Sequence, residues 1–416
     1  MRVRHVVGMV AATLVALPLG MTGAGAAGQG APDDRAGAAA AVSVLSGVQR
    51  ADLEAMAADA GVGLDEAVAR FAWQDAFSVA ATAVQEAYPD SFATSEITSE
   101  DPAVGTIRFT GTVPAGARAL VAALPRSVEV RLVGGESLSA ADVDRAVIAA
   151  HRAVRATGRV GDAVSSYDRA AGLVRVAAAP ARLLPPTSRA AEARAIRDAL
   201  PASAGRVEVV LVDEVAGREE ARNGGGRLEG DGSSGLACTS GFNVVNSAGT
   251  TGIATAGHCP NGMTHENMSG ETEVDLTFRS GHVGQWGDFQ WHTSTDTEPD
   301  NFYWDSGDLR DVSARANPSD DQTICRYGRT TARECDTVDD LSTCVTVDGV
   351  EACRLVRMNS DEAEGGDSGG PWYSGNTAYG FHKGQTSCGF LWASTCDVWS
   401  RVTYIDDALG VTVRTS

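Results

Sequence analysis

Lysine is nearly absent from this chain: Lys383 is the only one among 416 residues. Acidic residues outnumber basic ones, 54 to 34, for a formal net charge of −20. A surface of that sign repels phosphates, so no nucleic-acid partner is expected. Paired C-x-x-C spacings are missing, and so is any EF-hand loop, which leaves no metal site and no cofactor to expect. No cysteine precedes Cys238. Beyond the first two dozen residues no apolar run reaches the roughly 20 residues needed to span a bilayer. What remains is a soluble chain, 43% apolar, with enough material for two or three cores.

The amino-terminal end has its own pattern. Met1-Arg2-Val3-Arg4, the apolar run from Val6 to Met21 broken by Pro18, and Ala24-Gly25-Ala26 have the order of a secretory leader. Residues 1–26 are therefore expected to be removed on export, giving an extracellular product with no membrane anchor. Eight cysteines, all in the carboxy-terminal part, agree with an oxidising destination and read as a disulfide framework.

Residues 27–213 read as an α+β region. After an Ala/Gly-rich stretch, residues 50–88 are helical, with Leu64, Val68 and Phe71 on one stripe. From Thr106 short strands alternate with helices. Ser139 and Asp142 form a capping box for a helix carrying Val143, Val147 and Val154 on one face. A hairpin over 164–176, a helix near 188–200 and a strand over 207–212 follow. His151 reads as an ordinary residue on the surface of its alanine-rich helix. Residues 214–237, with Gly217, Arg218-Glu219-Glu220 and two glycine-rich runs, read as a linker open to proteolysis. Residues 238–416 lack helical periodicity and show many short strands between turn residues, as in a barrel or sandwich.

Chemistry concentrates in two boxes. In Gly365-Gly366-Asp367-Ser368-Gly369-Gly370-Pro371 a serine lies among glycines that let a substrate carbonyl approach the backbone N–H groups. A plain Gly-rich surface turn would look similar, but it would not come with a partner. Thr255-Ala256-Gly257-His258-Cys259 supplies one: a histidine, the usual general base near neutral pH, after a strand-like run.

Together these boxes resemble the chymotrypsin superfamily of serine proteases, and most closely the secreted bacterial branch of streptogrisins and α-lytic protease. The likeness is dense in motifs over about residues 236–416 and looser before it. It implies an all-β mature domain of two antiparallel β-barrels, preceded by the α+β region as a pro-region that assists folding and blocks the cleft. It implies Ser368 as nucleophile, His258 as base, and the N–H groups of Gly366 and Ser368 as the oxyanion hole. Asp288, in Gly287-Asp288-Phe289-Gln290-Trp291, is taken as the group orienting His258. Asp275 and the cluster Asp296, Glu298, Asp300, Asp305 and Asp308 are rivals. Nearest-neighbour order, supported by the resemblance, pairs Cys238 with Cys259 and Cys325 with Cys335; the same order would pair Cys344 with Cys353 and Cys388 with Cys396, but the connectivity of these last four is left open.

By the same resemblance the substrate pocket lies between the residues before the serine box and the strand carrying His382, Lys383 and Gly384. Glu362 at its base would favour a basic substrate side chain; His382 and Lys383 would favour an acidic one. Relatives preferring glutamate carry a histidine at the matching strand position. The chain departs from its relatives in two places. Glu362-Ala363-Glu364 stands where a cysteine is common, and Lys383 stands where a serine is usual. Expected partners are protein or peptide substrates and the chain's own pro-region, with the enzyme a monomer. A protease fold that binds without cleaving is the other class of function. An esterase is disfavoured because the G-x-S-x-G elbow is missing.

Overall fold

The computed structural model describes residues 45–98, 103–125, 128–215, 217–218, 227–230, 237–266, 273–295, 298–388 and 394–416. The expected leader and most of the 214–237 linker lie outside the described residues.

The helical segment expected over 50–88 is three helices: Gly47–Asp59, Leu64–Phe71 and Gln74–Ala87. Gly61, at φ +64°, makes the first break. Glycine takes that left-handed backbone without the Cβ clash any other residue meets. A small sheet follows, with Phe92–Thr98 antiparallel to Val104–Thr110 and Glu129–Glu136 parallel to the latter. The Ala140–Ala156 helix starts at the expected Ser139/Asp142 capping box. Its apolar face meets the strands Val160–Asp168, Leu173–Pro180 and Val207–Leu211, in a core that also contains Cys344 and Cys353.

Two large sheets form the rest, and they correct the expected pair of closed antiparallel β-barrels. One has eight strands in the spatial order 411–413, 243–246, 251–255, 287–293, 273–284, 263–266, 227–230 and 237–239. Its end strands do not pair with each other, so it is curled but open. The other sheet has eleven strands, nine along its path and two, Gly217–Arg218 and Ala314–Arg315, paired to Thr377–Ser387 off it. Thr323–Gly328, Pro371–Ser374, Thr377–Ser387, Thr395–Arg401, Val350–Met358 and Ala332–Val347 turn back on themselves, because the first also pairs with the last. The sheet does not stop there. Cys344, Val345 and Thr346 pair with Ser165, Val164 and Ala163, so the strands before residue 214 continue it. Parallel pairs occur within it, Leu173–Pro180 with Val207–Leu211 and Ala314–Arg315 with Thr377–Ser387. Helix is not confined to the amino-terminal half either: Ile405–Leu409 follows the last long strand. The physical reason is edge pairing. A strand's free edge takes whatever strand can cover it, and alternation in the sequence does not say which.

This shared sheet also corrects the reading of His151. The residue is fully buried, with Nδ1 2.8 Å from Ser165 Oγ and Nε2 2.8 Å from Thr346 Oγ1. Burial pushes its basicity down to about 3. Other polar contacts cross between the same two parts of the chain. Asp52 pairs with Arg310 at 2.8 Å, and Asp75 accepts from Tyr379 at 2.8 Å while burial raises its carboxyl to about 6.

Candidate active site

His258 follows the buried strand Thr251–Thr255 on a short turn, and its neighbour Cys259 is joined to Cys238. Asp288 is the second residue of Gly287–Thr293, a strand buried along its whole length. Ser368 lies in the turn before Pro371–Ser374. The open sheet thus supplies the first two groups and the larger sheet the third. Their side chains form one line: Asp288 Oδ2 lies 2.7 Å from His258 Nδ1, and His258 Nε2 lies 2.9 Å from Ser368 Oγ. Asp288 Oδ1 also accepts from the His258 backbone N–H at 2.9 Å. Both carboxylate oxygens therefore hold the histidine, one by its ring and one by its main chain.

Close backbone approach makes this possible. A Cβ on Gly257 would fall 2.7 Å from Asp288 Oδ1 and 2.7 Å from the His282 carbonyl, so only glycine fits. Ser400 Oγ accepts from the Asp288 N–H at 2.9 Å. Burial alone would raise the Asp288 carboxyl, but the Lys383 ammonium and His258 outweigh it and hold it well below the usual carboxylate range. Lys383 Nζ is 3.0 Å from Asp288 Oδ2.

The serine turn is held from below. Asp367 is fully buried and pairs with Arg326, itself fully buried, at 3.1 Å. It also accepts from the N–H groups of Thr330 at 2.8 Å and Glu364 at 3.0 Å, and from Thr331 Oγ1 at 2.7 Å. Thr239 N–H donates to the Ser368 carbonyl at 2.7 Å, and Gly369 N–H donates to the His382 carbonyl at 2.8 Å. Gly366 sits at φ +108°, a backbone favouring glycine. Among the described residues, the N–H groups of Gly366 and Ser368 are not given to another backbone carbonyl. Backbone N–H groups placed beside a serine hydroxyl are the kind of donor that can hold an oxyanion.

The other residues singled out in the sequence lie elsewhere. Asp275 is exposed on the Glu273–Gly284 strand. Glu298 accepts from Thr251 Oγ1 at 2.6 Å and Ser294 Oγ at 2.7 Å, and Asp305 faces Arg333 at 3.6 Å. Asp300 is half-buried and Asp308 exposed, while Asp296 lies outside the described residues. No cluster of potential metal ligands occurs among the described residues. Disulfides join Cys238 to Cys259, Cys325 to Cys335, Cys344 to Cys353 and Cys388 to Cys396. Glu362 is exposed, whereas His382 is fully buried. Burial, with Arg326 nearby, drives the His382 ring well below ordinary histidine basicity. Gly384 is buried on the same strand, opposite Val398.

Arg326 and Ser400 were not foreseen from the sequence. The only sign of Arg326 is a single charge inside the strand-like run Thr323-Ile324-Cys325-Arg326-Tyr327, and Ser400 leaves none.

No family model matches the chain. Serine protease 2 of Streptomyces fradiae is 33% identical over 150 residues, which are 35% of this chain and 86% of that protein. The chain belongs to the chymotrypsin superfamily of bacterial serine proteases. Glutamyl endopeptidase 2 of Streptomyces griseus is 31% identical over 192 residues, covering 46% of this protease and 98% of the relative. Among solved structures, a glutamic acid specific serine protease is 27% identical with a TM-score of 0.39, covering 47% of this chain and all of that one. The matched shares leave more than half of this protease outside the alignments, and no described helix is long and apolar enough to cross a membrane.

Proposed function

We propose that the chain is a secreted serine endopeptidase, made as a pro-enzyme, that cleaves peptide bonds through Ser368, His258 and Asp288. The observation carrying this reading is the continuous hydrogen-bonded line from Asp288 through His258 to Ser368. Ser368 Oγ attacks the scissile carbonyl while His258 Nε2 takes its proton. Asp288 keeps the ring in the tautomer that presents Nε2 as a base and balances the imidazolium. The tetrahedral oxyanion is received by Gly366 and Ser368 N–H. His258 then gives its proton to the leaving amine, leaving an acyl-enzyme that water resolves by the same route. A fluorophosphonate probe tests the reading, because it labels only an activated serine. Labelling of the processed wild-type chain is expected; a chain that takes no label at pH 8 is a binding protein instead.

The pro-enzyme reading rests on what pairs with the strand beside Ser368. Gly217 and Arg218 pair antiparallel with Thr386 and Gln385, and in the full chain Ser368 has no exposed surface. An extended peptide on a strand edge is how many sites hold substrates. A peptide continuing that register for two more residues would set its next residue but one opposite Lys383, whose carbonyl lies 3.5 Å from Ser368 Oγ. In this sequence the residue two beyond Arg218 is Glu220. Processing is accordingly expected after Glu220, and amino-terminal sequencing of the secreted protein should read Ala221-Arg222-Asn223. An active secreted chain starting near Gly28 would contradict this.

Two further observations favour glutamate as the residue before the cut. The Lys383 ammonium is committed to Asp288 and the Gln385 amide donates to the Ala363 carbonyl, while Glu362 is exposed, so we assign the buried His382 as the side chain that meets the substrate. The similar Streptomyces griseus protein is a glutamyl endopeptidase. A buried neutral imidazole can donate to a substrate carboxylate and gains basicity once that charge arrives. His382→Ala should therefore lower kcat/KM after Glu on the order of 10²-fold, the loss of one charge-assisted hydrogen bond. Glu362→Gln should change little. Cleavage of a peptide library read by mass spectrometry decides it; a preference for Arg or Lys that Glu362→Gln destroys would reverse the assignment.

A further inference from the structure

The chain's single lysine is spent inside the active site. Lys383 is about nine-tenths buried, and its ammonium lies 3.0 Å from the same Asp288 oxygen that His258 Nδ1 meets at 2.7 Å. Its main-chain carbonyl lies 3.5 Å from Ser368 Oγ. One residue thus touches both ends of the line, and its charge sits beside the base. From this geometry we infer that Lys383 is a positioning residue that holds the charge balance of the triad and keeps His258 available as a base in mildly acidic solution. The inference rests on the serine-endopeptidase reading above.

Charge counting gives the reason. With His258 neutral, the Asp288 carboxylate and the Lys383 ammonium cancel. At the tetrahedral intermediate the imidazolium and the oxyanion also cancel, so the buried site is neutral before and after proton transfer. Protonating His258 from solvent, with no oxyanion present, instead leaves a net positive charge in a desolvated site, which is costly. A neutral residue at 383 reverses the preference. The lone carboxylate then attracts a proton, either to the imidazole or to itself, and both routes remove the working base as the pH falls.

Among the described residues, the surrounding groups do not supply a substitute cation. On the Glu273–Gly284 strand, His282 faces Asp288 and burial lowers its basicity. On the Thr377–Ser387 strand, His382 is lowered further by burial. Arg326, on Thr323–Gly328, is paired with Asp367. From Thr395–Arg401 the contact is the neutral Ser400 hydroxyl.

The test is the second-order rate of inactivation by a fluorophosphonate, measured from pH 4 to 9 on the processed protein. That probe carries no pocket-directed charge, so substrate specificity does not enter. Lys383→Met should move the acid limb upward by about one pH unit, the size expected for removing a nearby charge in a partly desolvated site. The rate at pH 5 should fall roughly tenfold relative to the rate at pH 8. Lys383→Arg, which keeps the cation, should retain most of the wild-type limb. If Lys383→Met does not fold, Lys383→Gln keeps a donor toward Asp288 without the charge and is read in the same way. Uniform slowing at every pH with an unmoved limb would overturn the inference, as would equal shifts in the Met (or Gln) and Arg variants. A wild-type protein that takes no label at any pH removes the endopeptidase reading itself, a result distinct from an unmoved limb.

Discussion

Ser368→Ala should lower peptide cleavage by about 10⁴–10⁶-fold while leaving the fold intact. The hydroxyl is the only atom group lost. Its hydrogen-bond partners are His258 Nε2 at 2.9 Å and the Lys383 carbonyl at 3.5 Å, and losing the hydroxyl leaves no charged group unpaired, so little stability depends on it. His258→Ala should cost about as much, and the double variant no more than either alone, because the proposed nucleophile and base would act as a unit. Single-turnover assays on matched, folded samples would read this. Turnover near wild type in purified Ser368→Ala would remove Ser368 from the role. The same variant also separates processing from chemistry. If the cut after Glu220 is made by the enzyme itself, Ser368→Ala should accumulate as the uncut chain, and added wild-type enzyme should restore the cut.

The second large effect lies beneath the serine turn. Arg326→Met keeps most of the side-chain length but removes the charge facing Asp367. Both groups are fully buried, so the carboxylate is left without a counter-ion in a site it cannot leave. Breaking a buried pair from one side typically costs about 3–5 kcal/mol, and the four donors that still reach Asp367 set the lower end of that range. Asp367 directly precedes the proposed nucleophile, and its backbone carbonyl accepts from Gly370 N–H at 2.9 Å. Movement of its carboxylate therefore moves the turn that presents Gly366 and Ser368. Urea unfolding should show the lost stability, and kcat/KM should fall by at least about 10², the usual penalty for a misplaced catalytic group. Asp397, whose carboxyl burial raises to about 7, lies 4.0 Å from Arg326 and should also titrate differently in the variant. A variant with wild-type stability and turnover would show that the hydrogen bonds alone hold the turn.

Much of this protein is readable without coordinates, and the reason is local chemistry. A serine in a glycine box and a histidine after a strand are short-range patterns, and they were enough to name the family to which the chain belongs. The Ser139–Asp142 cap is likewise a contact between near neighbours, and it appears where the residues put it. What depends on distant partners was left to the tertiary structure. The alternation in Ala332–Val347 shows a strand but not that Val160–Asp168 covers its edge, so the sheet crosses a boundary that the sequence draws near residue 214. His151 looks like a surface residue because its helix is alanine-rich; only the packing of that helix on the shared sheet buries it between two hydroxyls. Lys383 reads as a charge for the pocket, yet its side chain turns to Asp288, nearly a hundred positions earlier. Sequence spacing specifies which groups are present and which local turns can carry them. Where a charge ends up is decided by which opposite charge the folded chain buries beside it.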